Sequence, residues 1–345
     1  MTETKEIFDI IIIGGGPVGM FASFYAGMRQ AKTMIIESLP ALGGQLTMLY
    51  PEKEIYDVAG FPHIKAKDLV TNLHEQIDMF NHDIHLEETV KHIEPLENQL
   101  LEVTTSKGFY ITKSVIIAAG NGSFQPRRLK IDDIEPCEQK SMHYHITNLE
   151  RFRDKEVLIA GGGDSAIDWA LTLENIAKTV HVVHRRNQFR ALEHSVDLLK
   201  QSSIQVHTPY VIQAIEHKEG QIHTVTLHNP KEDLKETLMI DELIVNYGYS
   251  SSLGPIKNWG LNLNKQSISV NSDMSTNIPG VYACGDIVTY DGKVALIATG
   301  FGEAPTAVNN ALHFANPDLR VQPGHSTSLF EKKQNREKRK LNGNR

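Results

Sequence analysis

Cysteine is nearly absent from this chain. Its 345 residues include two, Cys137 and Cys284, which lie 147 positions apart and form no Cys-x-x-Cys. That count excludes a disulfide-stapled scaffold and a cysteine zinc site, and it fits a reducing cytoplasm. A clean apolar run long enough for a membrane is also missing. The stretch 7–28 is broken by Asp9, a glycine cluster and Pro17, and it has neither a basic leader nor a small-residue cleavage site. The chain therefore reads as cytoplasmic. Net charge is −7, unevenly spread. Residues 331–345 carry seven Lys/Arg against Glu331 and Glu337, a net +5 that leaves −12 elsewhere. Two readings of this tail stand side by side: a solvated, frayed terminus, or a steering patch for an acidic partner.

What is present is more telling. Apolar content of 40% and charged content of 22% describe an ordinary globular protein, and the length predicts two domains. A strand at 8–13 runs into Gly14-x-Gly16-Pro17-x-Gly19, and Glu37 closes the next strand, 33–36. A second strand, 157–160, runs into Gly161-x-Gly163-Asp164-Ser165-Ala166, and His184-Arg185-Arg186 closes 181–183. Gly14 to Glu37 is 23 residues, and so is Gly161 to His184. In such a strand–glycine loop–helix unit the first glycine permits the tight turn. The second lets the backbone approach a pyrophosphate, and the third position lets helix and strand pack closely. Helix amides and the helix dipole face the phosphates. A carboxylate at the end of the second strand suits a free ribose 2′-hydroxyl, whereas cations there suit a 2′-phosphate. The pair predicts two different dinucleotides, FAD at the first site and NADPH at the second, and with them hydride transfer. Arg190 stands a turn beyond Arg186 and is a further candidate for the 2′-phosphate.

Each unit carries a similar accessory pattern. After the first, β-rich stretches at 87–93, 100–105 and 109–111 predict a small meander, followed by a buried strand at 114–120. After the second, 204–207, 210–217 and 223–227 predict another, closed by a strand at 242–248. The expected fold is α/β: two Rossmann-like three-layer nucleotide-binding domains, with the NADPH domain (123–249) inserted in the FAD domain (1–122 and 250–345). Turn formers at 121–126 and 249–255 mark the two linkers. A helix-compatible segment, 295–315, begins with small residues around Gly300 and Gly302. It reads equally as an amphipathic core helix or as one whose positive end approaches a flavin.

At this point the chain resembles the thioredoxin-reductase-like type of ferredoxin/flavodoxin–NADP⁺ reductase over nearly its whole length. The segments that carry the resemblance are Gly43-Gly44-Gln45-Leu46 through Tyr50-Pro51-Glu52-Lys53, Tyr56-Asp57-Val58-Ala59-Gly60-Phe61-Pro62 and His184-Arg185-Arg186. Tyr282-Ala283-Cys284-Gly285-Asp286 and Pro323-Gly324-His325-Ser326-Thr327 complete the set. The resemblance implies that Gly44 and Gln45 lie along the FAD, that Tyr50 stacks on one flavin face, and that His325 lies against the other with Ser326 beside it. It further implies that Asp286, next to Gly285, accepts a hydrogen bond from the ribityl chain, that Val90, Phe124 and Thr327 line the cofactor, and that the protein is a homodimer.

The missing dithiol then bears on the reaction. Thioredoxin reductases of this architecture carry Cys-x-x-Cys in the second domain, where this chain has Met142-His143-Tyr144-His145 and no cysteine. Disulfide exchange needs an attacking thiolate and a partner thiol. Without them, electrons leave from the flavin itself: hydride from NADPH to flavin N5, then single-electron transfer to ferredoxin or flavodoxin. Cys284 reads as a small buried hydrophobe, and His143 and His145 as polar helix-loop residues without a complete metal-ligand pattern. Rival readings are an NADPH-dependent quinone, ferric-chelate or free-flavin reductase, and an idle FAD/NADP(H)-binding redox sensor.

Overall fold

The computed structural model describes residues 6–328, except Gln139 and Thr147; the tail 331–345 lies outside the described residues, and Phe124 is described in its backbone alone. Packing divides the chain into two compact units, Met1–Ser123 with Ser251–Arg345, and Phe124–Ser250. Among the described residues no helix is long and apolar enough to cross a membrane.

In the first unit the isoleucine run builds the centre. Strand Ile7–Ile13 lies between Thr33–Ile36 and Phe109–Ile117, parallel to both. Ile10, Ile11 and Ile12 are fully buried, as a parallel sheet covered on both faces requires. Alternation along the strand sends them to different layers. Ile10 and Ile12 pack with Met20 and Ala26 of helix Pro17–Met28 and with Ala304 and Val308 of helix Ile297–Ala315. Ile11 and Ile13 pack with Val90, Val103 and Leu253 on the opposite face. Burying each such side chain contributes about 1.5–3 kcal/mol relative to exposure.

Two expectations change here. Residues 109–117 form one nine-residue strand, where the sequence predicts two. Its first half pairs antiparallel with Leu101–Thr105, and its second half pairs parallel with Val281–Ala283. The predicted meander is therefore the edge of the main sheet, ending at Val90–Pro95. Thr112, in the gap between the two predicted strands, is fully buried, and its hydroxyl donates to the carbonyls of Phe8 and Ser114.

The second unit repeats the scheme. A five-stranded parallel sheet runs in the order Met142–His143, Glu242–Asn246, Glu156–Gly161, Thr179–Val183, Gln205–His207. Val157 and Ile159 face Ala166, Ile167 and Trp169 of helix Asp164–Leu173. Leu158 and Ala160 face Ile212, Val225 and Leu227 of a three-stranded antiparallel sheet. That sheet contains a strand the sequence reading missed, Leu234–Met239, and it lacks 204–207, which belongs to the parallel edge. The missed strand leaves Leu234 and Met239 exposed, so its apolar pattern is diluted. The predicted linker turns are extended instead: Ser123–Pro126 pairs with Tyr249–Ser252.

Candidate functional site

Each glycine motif joins the C-terminal end of a central strand to a helix. In the first unit a Cβ placed on Gly19 would lie 2.0 Å from the carbonyl oxygen of Gly14, so no side chain fits at the third position. At Gly16 the same test meets nothing within 4 Å. Pro17 opens the helix at its first turn, where its missing N–H costs nothing. No side chain caps the helix at Gly16, which leaves its first amides for an anion.

Around this loop the chain is closely tied. The Glu37 carboxylate, 5% exposed, accepts from the backbone N–H of Gly15 at 2.6 Å and of Leu39 at 2.9 Å, and from the Ser38 hydroxyl at 3.1 Å. Gly43 N–H donates to the carbonyl of Gly15 at 2.7 Å, and Gly44 takes φ 55° with its Cβ position 3.1 Å from Gly16 Cα. Such a backbone at such a distance admits only glycine without strain. Gln45 begins the short helix Gln45–Met48 that follows. Tyr50 is half-buried, with the Lys53 ammonium 5.7 Å from its ring centre. Burial raises the Tyr50 phenol above its ordinary pKa, and the charge of Asp286 adds to the rise, which brings these two predicted residues into one neighbourhood. Burial also raises the Asp286 carboxyl. Val90 is buried in the sheet core. His325, Ser326 and Thr327 are exposed. Among the described residues, no hydrogen bond or ring contact joins His325 to Tyr50.

In the second unit Gly161, Gly163, Asp164, Ser165, His184, Arg185, Arg186 and Arg190 all line one cavity of about 620 Å³. Gly163, like Gly16, faces open space, and its helix also lacks a side-chain cap. The arginine loop is held at both ends. His184 N–H donates to the carbonyl of His207 at 3.0 Å, and Arg190 N–H donates to that of Gly162 at 2.7 Å. Among the described residues the arginines in ion pairs are Arg128, Arg151 and Arg153. Arg185, Arg186 and Arg190 are exposed and carry uncompensated charge. The His184 ring lies parallel to Phe189 at 5.4 Å, and its buried Nε2 has no hydrogen-bond partner. Burial, with the neighbouring arginine charges, holds its pKa below the ordinary 6.5, so the imidazole is neutral at neutral pH.

Sequence reasoning missed Arg127, Tyr210, Asn246 and Tyr247, which line the same cavity. They come from other strand ends, and Arg127 is placed by its N–H bond to the carbonyl of Gly248 at 2.9 Å. No local motif marks them. His143 is also corrected. It lies on a strand rather than a helix loop, and its Nε2 sits 2.7 Å from the Glu242 carboxylate, with Arg151 on the same oxygen. Both cysteines are fully buried, in different units, and burial raises both thiols above their ordinary pKa.

Two uncapped helix ends face open space, one beside a carboxylate and one beside arginines, and the profile for pyridine nucleotide-disulphide oxidoreductases matches residues 8–311. The chain belongs to that family. A ferredoxin–NADP reductase of Enterococcus faecalis is 58% identical over 331 residues, 96% of this chain and 98% of its own. One of Halalkalibacterium halodurans is 56% identical over 330 residues, covering 96% and 100%. Among solved structures, the thioredoxin reductase of Lactococcus lactis in its FR conformation is similar with TM-score 0.69 and 28% identity, covering 89% of this chain and 99% of that one. The thioredoxin reductase of T. acidophilum, 23% identical, shares the fold with TM-score 0.70 over 92% of this chain and 100% of its own. The fold is that of the thioredoxin-reductase-like FAD/NAD(P) proteins, and the chain is an oxidoreductase.

Proposed function

We propose that this chain transfers electrons between NADPH and ferredoxin or flavodoxin through FAD, with no redox-active dithiol. The reading rests most on one contrast. A buried carboxylate stands beside the first glycine loop and unpaired arginines beside the second, while the two cysteines are buried in separate units.

FAD, when bound, supplies the chemistry: it accepts a hydride from NADPH and gives up electrons one at a time. The protein binds and orients. In the proposed FAD domain, Gly14, Gly16, Pro17 and Gly19 set an open helix end toward the pyrophosphate, and Glu37 has lone pairs left for the ribose hydroxyls. Gly44, Gln45, Val90 and Gly285 line the cofactor. Asp286 accepts from the ribityl chain, and Tyr50 covers one flavin face. In the proposed NADPH domain the 161–165 loop takes the pyrophosphate, and Arg185, Arg186 and Arg190 bind the 2′-phosphate through charge-assisted hydrogen bonds. His325, Ser326 and Thr327 are exposed in the single chain, which suits delivery to a flavin across a homodimer.

The test is an acceptor panel under anaerobic steady state. NADPH oxidation should be fast with ferredoxin or flavodoxin and slow with thioredoxin and a small disulfide. Preferred reduction of quinone or free flavin, with neither carrier protein reduced, would replace this reading with a small-acceptor reductase.

A further inference from the structure

Lys293 and Glu303 form an ion pair inside the first unit that neither glycine motif needs. Their side chains are 8% and 5% exposed, and Nζ lies 2.5 Å from Glu303 Oε1. Tyr290 donates its hydroxyl to the same oxygen at 2.6 Å. The other oxygen accepts the backbone N–H of Gly285 at 2.8 Å. The Lys293 ammonium also stands 5.6 Å from the Tyr290 ring centre. Both oxygens of Glu303 are thus engaged, by three donors in all, one of them the residue immediately before Asp286.

Burying two charges is costly, and an apolar pair of similar volume is often as stable or more so. A pair retained in such a place invites a role beyond packing. The site offers one, since both charges act on Asp286 with opposite sign: Lys293 favours its carboxylate and Glu303 opposes it. Gly300, on the same helix as Glu303, brings that helix against the Gly285 turn, with its Cβ position 3.4 Å from Gly285 Cα.

We propose that Glu303 is a positioning residue that fixes the Gly285–Asp286 turn through the Gly285 N–H, and that Lys293 cancels its charge, so that neither charge alone displaces the reduction potential of the flavin. This rests on the placement of FAD beside Asp286 proposed above. Uptake of two electrons and one proton adds one negative charge to the bound cofactor. An unbalanced cation nearby favours that uptake, and an unbalanced anion opposes it. Water screens the effect little at a buried pair.

The experiment measures the flavin midpoint potential of the purified, FAD-loaded protein by equilibration with a reference dye at neutral pH. Glu303→Gln keeps an acceptor for Gly285 and leaves Lys293 unbalanced, so the potential should move positive. Lys293→Met should move it negative. Each shift should correspond to at least tenfold in the reduction equilibrium, about 30 mV for a two-electron couple. The double variant should return close to the parent value, and Tyr290→Phe, which changes no charge, should stay there. A merely structural cluster would lower FAD content or melting temperature without this inversion of sign. Shifts in the same direction, or none in variants that retain FAD, overturn the proposal. Should a single variant not retain FAD, the double variant decides. Retention at the parent potential, with the expected sign of shift in the single variant that does keep FAD, supports the proposal, and loss of FAD or a tenfold shift in the double variant overturns it. Asp286→Ala separates the two claims. Unchanged FAD affinity there removes the placement and the proposal with it. Loss of FAD there, with unshifted potentials in the other variants, overturns the proposal alone.

Discussion

The two units carry the same glycine loop on the same kind of strand, yet they hold the charged side chains beside it in opposite ways. In the first, the carboxylate at the strand end is buried and held by two backbone amides and a hydroxyl. In the second, the cations are exposed and unpaired around an open cavity. A group fixed before the ligand arrives loses little freedom on binding, which suits a cofactor that stays. Exposed cations pay ordering entropy at each encounter and release their ligand more readily, which suits a coenzyme exchanged at every turnover. Under the proposed function, one loop geometry suits retention or exchange according to how its charged neighbour is held.

The two units should differ most at Glu37. Glu37→Ala removes the acceptor of two backbone donors in a buried place, a cost of about 1–3 kcal/mol for each group left unsatisfied. FAD should be lost on purification and the first unit should melt earlier, measured by flavin content and by calorimetry of the apoprotein. Retention of FAD at parent affinity would mean that Glu37 only braces the loop.

The second unit should respond differently. Arg185→Ala with Arg186→Ala should raise KM for NADPH about 10- to 100-fold per lost charge-assisted bond, leave KM for NADH nearly unchanged, and spare the melting temperature. An equal loss with both coenzymes would count against a 2′-phosphate site.

Acid sharpens the contrast further. Burial holds His145, His181 and His184 below their ordinary 6.5, helped by His143, His207 and the arginines respectively. The unfolded chain therefore binds more protons below that pH. The stability these neutral imidazoles lend is complete above 6.5 and is lost as pH falls toward the depressed values. In the first unit burial works against the ionised Glu52 and Glu88, but their hydrogen-bonding partners outweigh it and hold both below the ordinary 4.5. Their contribution is present above that value and lost as pH falls through the depressed ones. Hydrogen-exchange protection, taken relative to the intrinsic rate at each pH between 7 and 5, should thus fall first in peptides from Phe124–Ser250. Equal or earlier loosening of the first unit would reverse the assignment.

The smallest effect should come from the thiols. Cys137→Ala with Cys284→Ala should cost about 1 kcal/mol of stability per buried site and leave NADPH-to-ferredoxin turnover within about twofold. A folded, flavin-loaded double variant without turnover would contradict direct transfer from flavin to acceptor.

Much of this was legible because βαβ units are local. Strands 33–36 and 157–160 and the loops that follow sit where their apolar runs and glycines predict, since a strand, its turn and its helix are contiguous. Eight predicted residues of the second unit line one cavity for the same reason. What was not legible depends on distant partners. Thr112 falls in the gap between two predicted strands until its buried bonds to Phe8 and Ser114 are seen. Leu234–Met239 exposes part of its apolar content and hides its strand character. Arg127 and Tyr247 reach the cavity through the order of strands, and the Lys293–Glu303 pair exists only because a turn folds residue 293 onto a helix face.

The central claim is that a single two-electron centre, the flavin, stands between NADPH and the acceptor. Anaerobic titration of the yellow protein tests it most directly, with the flavin absorbance followed in the parent and in the cysteine-free variant. One equivalent of NADPH should bleach the flavin fully in both, NADH should do so far more slowly, and oxidised ferredoxin should restore the colour. A second equivalent consumed by the parent but not by the cysteine-free variant would reveal a dithiol centre and contradict the account.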